Sequence, residues 1–170
     1  MEILKTSIQW AKDEVFSSAF FLLFGVAFVL ATIGFWQLGK TEVAKAFIYP
    51  MLVAGIFLLI AGFGLISSNK SRLSNFEADY KADPSTFVKT EIACVEKTIG
   101  EYQNIALKVI PVIIAVAALL ILFVDKPIWR AISITTIALM LCMVWVDSIA
   151  KARLEAYHQK LVSVAKQEGS

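Results

Sequence analysis

Apolar residues along this chain gather into four long blocks. Residues 15–36 and 46–66 contain no charged side chain, and residues 105–124 and 128–149 carry charges only near their ends. About 20 apolar residues cross a bilayer as an α-helix. The pattern therefore predicts an all-α integral membrane protein with four transmembrane helices.

A second pattern lies outside the blocks. Val88, Ile92, Val95, Ile99 and Tyr102 recur at steps of four and three, which places them on one face of a helix. Leu154, Tyr157, Leu161 and Val164 repeat the pattern after the fourth block. Leu73, Phe76 and Tyr80 keep helical spacing as well, so the second helix is expected to run on to about Lys81. Asp83-Pro84 then interrupts it, Asp being a favoured N-cap and Pro a favoured first helical residue. Residues 67–104 and 150–166 are thus predicted to be long helical extensions of the spans.

Pairing Val88 with Val164, Ile92 with Leu161, Val95 with Tyr157 and Ile99 with Leu154 keeps a nearly constant register about Lys126. That constancy predicts an antiparallel hairpin stalk formed by helices 3 and 4, turning at Asp125-Lys126-Pro127. The same register sets Glu101 opposite Lys151 and Lys97 opposite Glu155. Exposed ion pairs are worth roughly 0–1 kcal/mol, so these serve as a check on register. Pro111 is expected to kink the third helix. The N-terminal segment, with Ile3, Leu4, Ile8, Trp10 and Ala11, is expected to lie on the membrane surface or against the stalk. Trp10, Trp36, Trp129 and Trp145 fall near span ends, where an aromatic belt belongs.

Composition supports the membrane assignment. At 58% hydrophobic and 18% charged, the chain is too apolar to cover a soluble domain of its size. The first block reads as a retained helix: it is long for a signal peptide and follows Asp13-Glu14 instead of a basic run. Lys5, Lys12, Lys70, Arg72, Lys81, Lys89, Lys97, Lys151, Arg153, Lys160 and Lys166 fall on one side of the predicted topology. Lys40, Lys45, Lys126 and Arg130 fall on the other. That bias predicts cytoplasmic termini and a cytoplasmic middle loop, in a plasma or bacterial inner membrane. A formal charge of +2 gives no nucleic-acid footprint. Cys94 and Cys142 are separated by the topology, so no disulfide is expected.

Candidate chemistry is sparse. Residues 15–39, 46–69, 109–124 and 131–146 lack ionisable side chains, which argues against proton- or cation-coupled transport. Lys108 and Asp147 come nearest to burial and are predicted to form an interfacial ion pair. Arg130 reads as a snorkelling anchor near the outer face. Ser17, Ser18, Thr32 and the run Ser133–Thr136 offer hydroxyls for packing or for a pore. Ala27, Ala31 and the glycines of the second span offer close helix contact. His158 shows no acidic partner in sequence and is expected to face solvent. With no nucleophile elbow, zinc motif or phosphate loop, no enzyme activity, cofactor or metal is expected.

The function that remains is non-enzymatic: a polytopic membrane protein that binds a protein partner or forms a homo-oligomer. It would serve as an accessory subunit, or as an immunity-type protein against a membrane-acting toxin. An oligomeric ion channel subunit is the alternative.

Overall fold

The computed structural model describes residues 2–168, and every regular element among them is helical. α1 (Glu2–Leu38) is one unbroken helix. A short α2 (Glu42–Ala46) leads into α3 (Ile48–Ala82). The break at Phe47 has a local cause, since Pro50 has no N–H to give to the Ala46 carbonyl. α4 (Pro84–Asn104), a π-helical turn (Ile105–Val109) and α5 (Ile110–Phe123) follow as one rod. α6 (Pro127–Glu168) closes the chain. Four rods, residues 2–38, 42–82, 84–123 and 127–166, are long and apolar enough to cross a membrane.

Asp83 caps α4 as its chemistry predicts. Its carboxylate accepts from the Ser85 and Thr86 amides at 3.0 and 3.1 Å and from the Thr86 hydroxyl at 2.6 Å, with Pro84 opening the helix. Those bonds hold the Asp83 carboxyl below its usual range, the Thr86 hydroxyl contributing most. Near Pro111 the chain answers with a wider turn. Pro111 cannot donate to the Leu107 carbonyl, and the Ile110 amide instead bonds Ile105 in the i→i+5 pattern.

Packing is uneven. α1 and α3 form the most extensive pair, α6 touches both and α4, and α5 packs chiefly on α6. Two apolar clusters result. One lies within the apolar half, where Phe21, Phe28, Ala54, Leu58 and Val146 are buried. The other lies at the opposite end, where Ile3, Trp10, Phe76, Phe87, Val88, Val95, Leu154, Tyr157 and Leu161 draw α1, α3, α4 and α6 together. We call this the polar end, because its outer faces carry most of the charge.

The polar end departs from a two-helix stalk. Ile92, Ile99, Tyr102 and Val164 pack against the same cluster as Val88, Val95, Leu154, Tyr157 and Leu161, but α1 and α3 complete it. The predicted cross-helix ion pairs are replaced by pairs within each helix. Lys97 meets Glu101 at 3.9 Å and Lys151 meets Glu155 at 3.5 Å. Such i,i+4 partners are already neighbours on one helix, so pairing them requires no interhelical register. Trp10 also leaves the predicted belt. It is buried, whereas Trp36, Trp129 and Trp145 are exposed on the apolar half.

Candidate functional site

The residues of greatest chemical interest lie between the two clusters. α1 builds one wall with an unusual seam: Ile3, Ser7, Trp10, Glu14, Ser17 and Phe21 follow steps of four and three and are all buried. Polar side chains thus occupy positions that an ordinary amphipathic helix fills with aliphatics. α3 brings Asn69 and Arg72, α4 brings Glu91, Thr98 and Tyr102, and α6 brings Asp147, Arg153 and Tyr157.

Arg72 and Glu91 form the centre of a lock. The guanidinium reaches both Glu91 oxygens from one nitrogen, at 3.0 and 2.9 Å, and Glu91 is buried. The Tyr157 hydroxyl lies 3.1 Å from Glu91 Oε2 and 2.7 Å from Ser7 Oγ, and its single proton is shared between these two acceptors. The Trp10 ring is engaged twice. Tyr157 stacks on it at 4.8 Å and 7°, and the Arg72 guanidinium carbon lies 5.0 Å from its centroid. Arg72 is also within 5.6 Å of the Phe76 ring. One cation is therefore held by a carboxylate and two aromatic faces contributed by three helices, while Tyr157 ties in the fourth.

Beside the lock is a cavity of about 180 Å³ between α1, α3, α4 and α6. Trp10, Glu14, Asn69, Arg72, Tyr102 and Asp147 are among its polar lining. Glu14 Oε1 and Trp10 Nε1 are buried without hydrogen-bond partners. Arg153 flanks the site, donating to the Asp13 carbonyl at 2.7 Å and to Ser17 Oγ.

The structure does not bring Lys108 to Asp147. Lys108 lies exposed on the π-helical turn, while Asp147 is half-buried against the cavity, and no ion pair joins them among the described residues. The predicted pairing assumed a continuous 3.6-residue period, which the π turn breaks. His158 does find an acid: its Nε2 is 3.2 Å from Glu96 Oε1 across the α4–α6 contact. Arg130 bonds Asp125 at 2.6 Å. Ser133 and Thr135 are buried with unpartnered hydroxyls, and Thr135 and Thr136 border an apolar groove of about 480 Å³ between α3 and α6.

Arg72, Glu91, Glu14 and Ser7 are the residues that a search for motifs passes over. Their signal was positional. Glu91 lies three residues after Val88 and four before Val95, which puts a charge on the buried stripe. Among the described residues no group of three or more His, Cys, Asp or Glu is placed to hold a metal. No family model, curated protein or solved structure matches the chain.

Proposed function

We propose that this chain is a non-enzymatic membrane protein that binds a protein partner through the polar end of its bundle. It acts as an accessory subunit or as an immunity-type protein against a membrane-acting toxin. In this reading the termini and the polar end face the cytoplasm, consistent with the Lys and Arg bias. The observation that carries it is the Arg72–Glu91–Tyr157–Trp10 lock, which ties four helix ends into a preorganised body. A rigid surface loses little entropy on binding, so a structural investment of this kind suits recognition. The outer faces of α4 and α6 remain available, with Lys89, Lys97, Glu101 and Lys160 all exposed.

The test is site-specific photo-crosslinking in native membranes. A photoreactive residue at position 89 or 97 is expected to trap one discrete protein, while one at position 119 on the apolar half traps lipid. A product of twice the chain's mass would identify a second copy as the partner. Absence of any protein adduct at 89, 97, 101 and 160, together with ion flux through liposomes containing the purified chain, would replace this reading with the channel.

A further inference from the structure

The cavity beside the lock carries a charge imbalance. Arg72 also lines the cavity, and its charge is matched by its two contacts with Glu91. Glu14 and Asp147 both line the cavity, and neither forms an ion pair or a side-chain hydrogen bond among the described residues. Arg153 is the one cation acting on Glu14 whose charge is not already matched by a carboxylate contact. Asp13, the remaining charge that acts on Glu14, is exposed to water on one side and accepts from Gln9. Two carboxylates against the neighbouring Arg153 guanidinium leave a surplus of one negative charge around a partly open cavity. Burying unmatched charge is costly, so a surplus of this kind is relieved by a proton or by a counter-charge.

The lining narrows the class of ligand. Glu14 is 9% exposed and Trp10 is 8% exposed, and each lines the site and carries a buried polar atom without a partner. Asn69 and Tyr102 add oxygen atoms free of hydrogen bonds among the described residues. Two carboxylates do not make the ligand cage that a divalent ion takes, and no metal-holding group of acids, thiols or imidazoles is present among the described residues. Among the aromatic rings of the lining, Trp10 is already engaged by Tyr157 and by the Arg72 guanidinium, which leaves Phe21 and Tyr102. The indole N–H itself needs an acceptor, which a water accompanying the ion supplies. The volume of about 180 Å³ is room for roughly six waters at about 30 Å³ each.

We propose that the cavity binds one compact monovalent cation, an alkali ion or a primary ammonium, with accompanying water, between Glu14 and Asp147. This site is independent of the partner-binding reading, since it lies inside the bundle and away from the exposed faces of α4 and α6. An occupied site would close the junction between the apolar half and the polar end.

The experiment follows thermal unfolding of the full chain in nanodiscs of phosphatidylcholine, at fixed chloride. Sodium, potassium or ethanolammonium replaces N-methylglucamine, a cation too bulky for the cavity. At least one small cation is expected to raise the Tm saturably, and E14Q/D147N is expected to abolish the rise while leaving the chain folded. Should the double variant fail to fold, D147N alone is expected to weaken the cation's apparent affinity at least tenfold. Nanodiscs containing phosphatidylethanolamine separate a lipid-borne ammonium, which would raise the Tm without added salt, from a free ion. Identical Tm values in all four cations, or a rise that survives loss of both carboxylates, would overturn the site.

Discussion

In the apolar half, α1 and α3 approach so closely that a side chain added at Gly55 would meet Val29 Cγ2 at 2.9 Å and the Gly25 carbonyl at 3.1 Å. At Gly62 it would meet Leu22 Cδ2 at 2.7 Å. At the polar end the Arg72 guanidinium of α3 lies over the Trp10 ring of α1 instead, with Glu91 of α4 and Tyr157 of α6 completing the contact. The difference follows from the surroundings. In lipid, helices gain nothing by hiding apolar surface from water, so they associate by shape, through small residues that admit a neighbour. Where water competes, burying apolar surface drives association, and polar groups enclosed with it must be paired. One pair of helices thus passes from association by shape to association by specific partners within a single length of rod.

The sharpest way to break the polar end is Glu91→Ala. It leaves the Arg72 guanidinium among aromatic rings without its carboxylate and removes an acceptor from Tyr157. Loss of one partner from a buried pair is expected to cost about 3 kcal/mol, read as a lowered unfolding midpoint in detergent. The double replacement R72M/E91L should recover most of that loss, because no charge is then left unmatched. If E91A and R72M/E91L are equally unstable, specific pairing is not what holds this end.

A smaller effect is expected from overfilling the apolar half. Gly55→Leu forces α1 and α3 apart and should cost roughly 1–3 kcal/mol, with no rescue from any charge change. Gly64→Ala is the control, since an added Cβ there meets nothing within 4 Å. It should be neutral or slightly stabilising, as Ala favours helix over Gly. Equal sensitivity at positions 55 and 64 would mean that close approach does not organise this half.

These variants also mark what could be read from the residues alone. The four apolar blocks and the Asp83-Pro84 helix start were legible, because hydropathy and capping act locally. The seam residues from Val88 to Val164 were identifiable as one apolar set, since a 3.6-residue period reports which face is covered. Period does not report what covers it. Trp10 looked like an interfacial aromatic, yet it is covered by Tyr157 from a helix almost 150 residues later. Gly55 and Gly62 of the second span carry close contacts as expected, but in the first span Gly25 meets them, whereas Ala27 lies exposed and Ala31 half-buried. Both differences depend on the rotation of one helix against another, which no single segment encodes. The charged network was hidden for a further reason: Arg72 and Glu91 gain their meaning only when two helices place them 2.9 Å apart.

The smallest effect is expected at the turn that joins α3 to α4, where the two ways of holding helices together give way to local capping. Asp83 is exposed, so its contribution comes from the bonds to Ser85 and Thr86. Asp83→Ala should fray the first turn of α4, seen as faster amide exchange at Ser85 and Thr86, with little change in the global midpoint. Asp83→Asn should keep most of the protection, because an amide oxygen also caps. The pH dependence has a definite sign. The folded Asp83 carboxyl titrates below its unfolded value, so its contribution is fully present above the ordinary carboxylate range. It is lost as pH falls through the lowered folded value, since protonation removes the acceptor. Amide protection at Ser85 and Thr86 should therefore drop in acid for the parent chain and stay flat for Asp83→Asn. An acid-driven loss that persists in the Asn variant would assign the effect to the neighbouring packing of Phe76, Tyr80 and Phe87 instead of the cap.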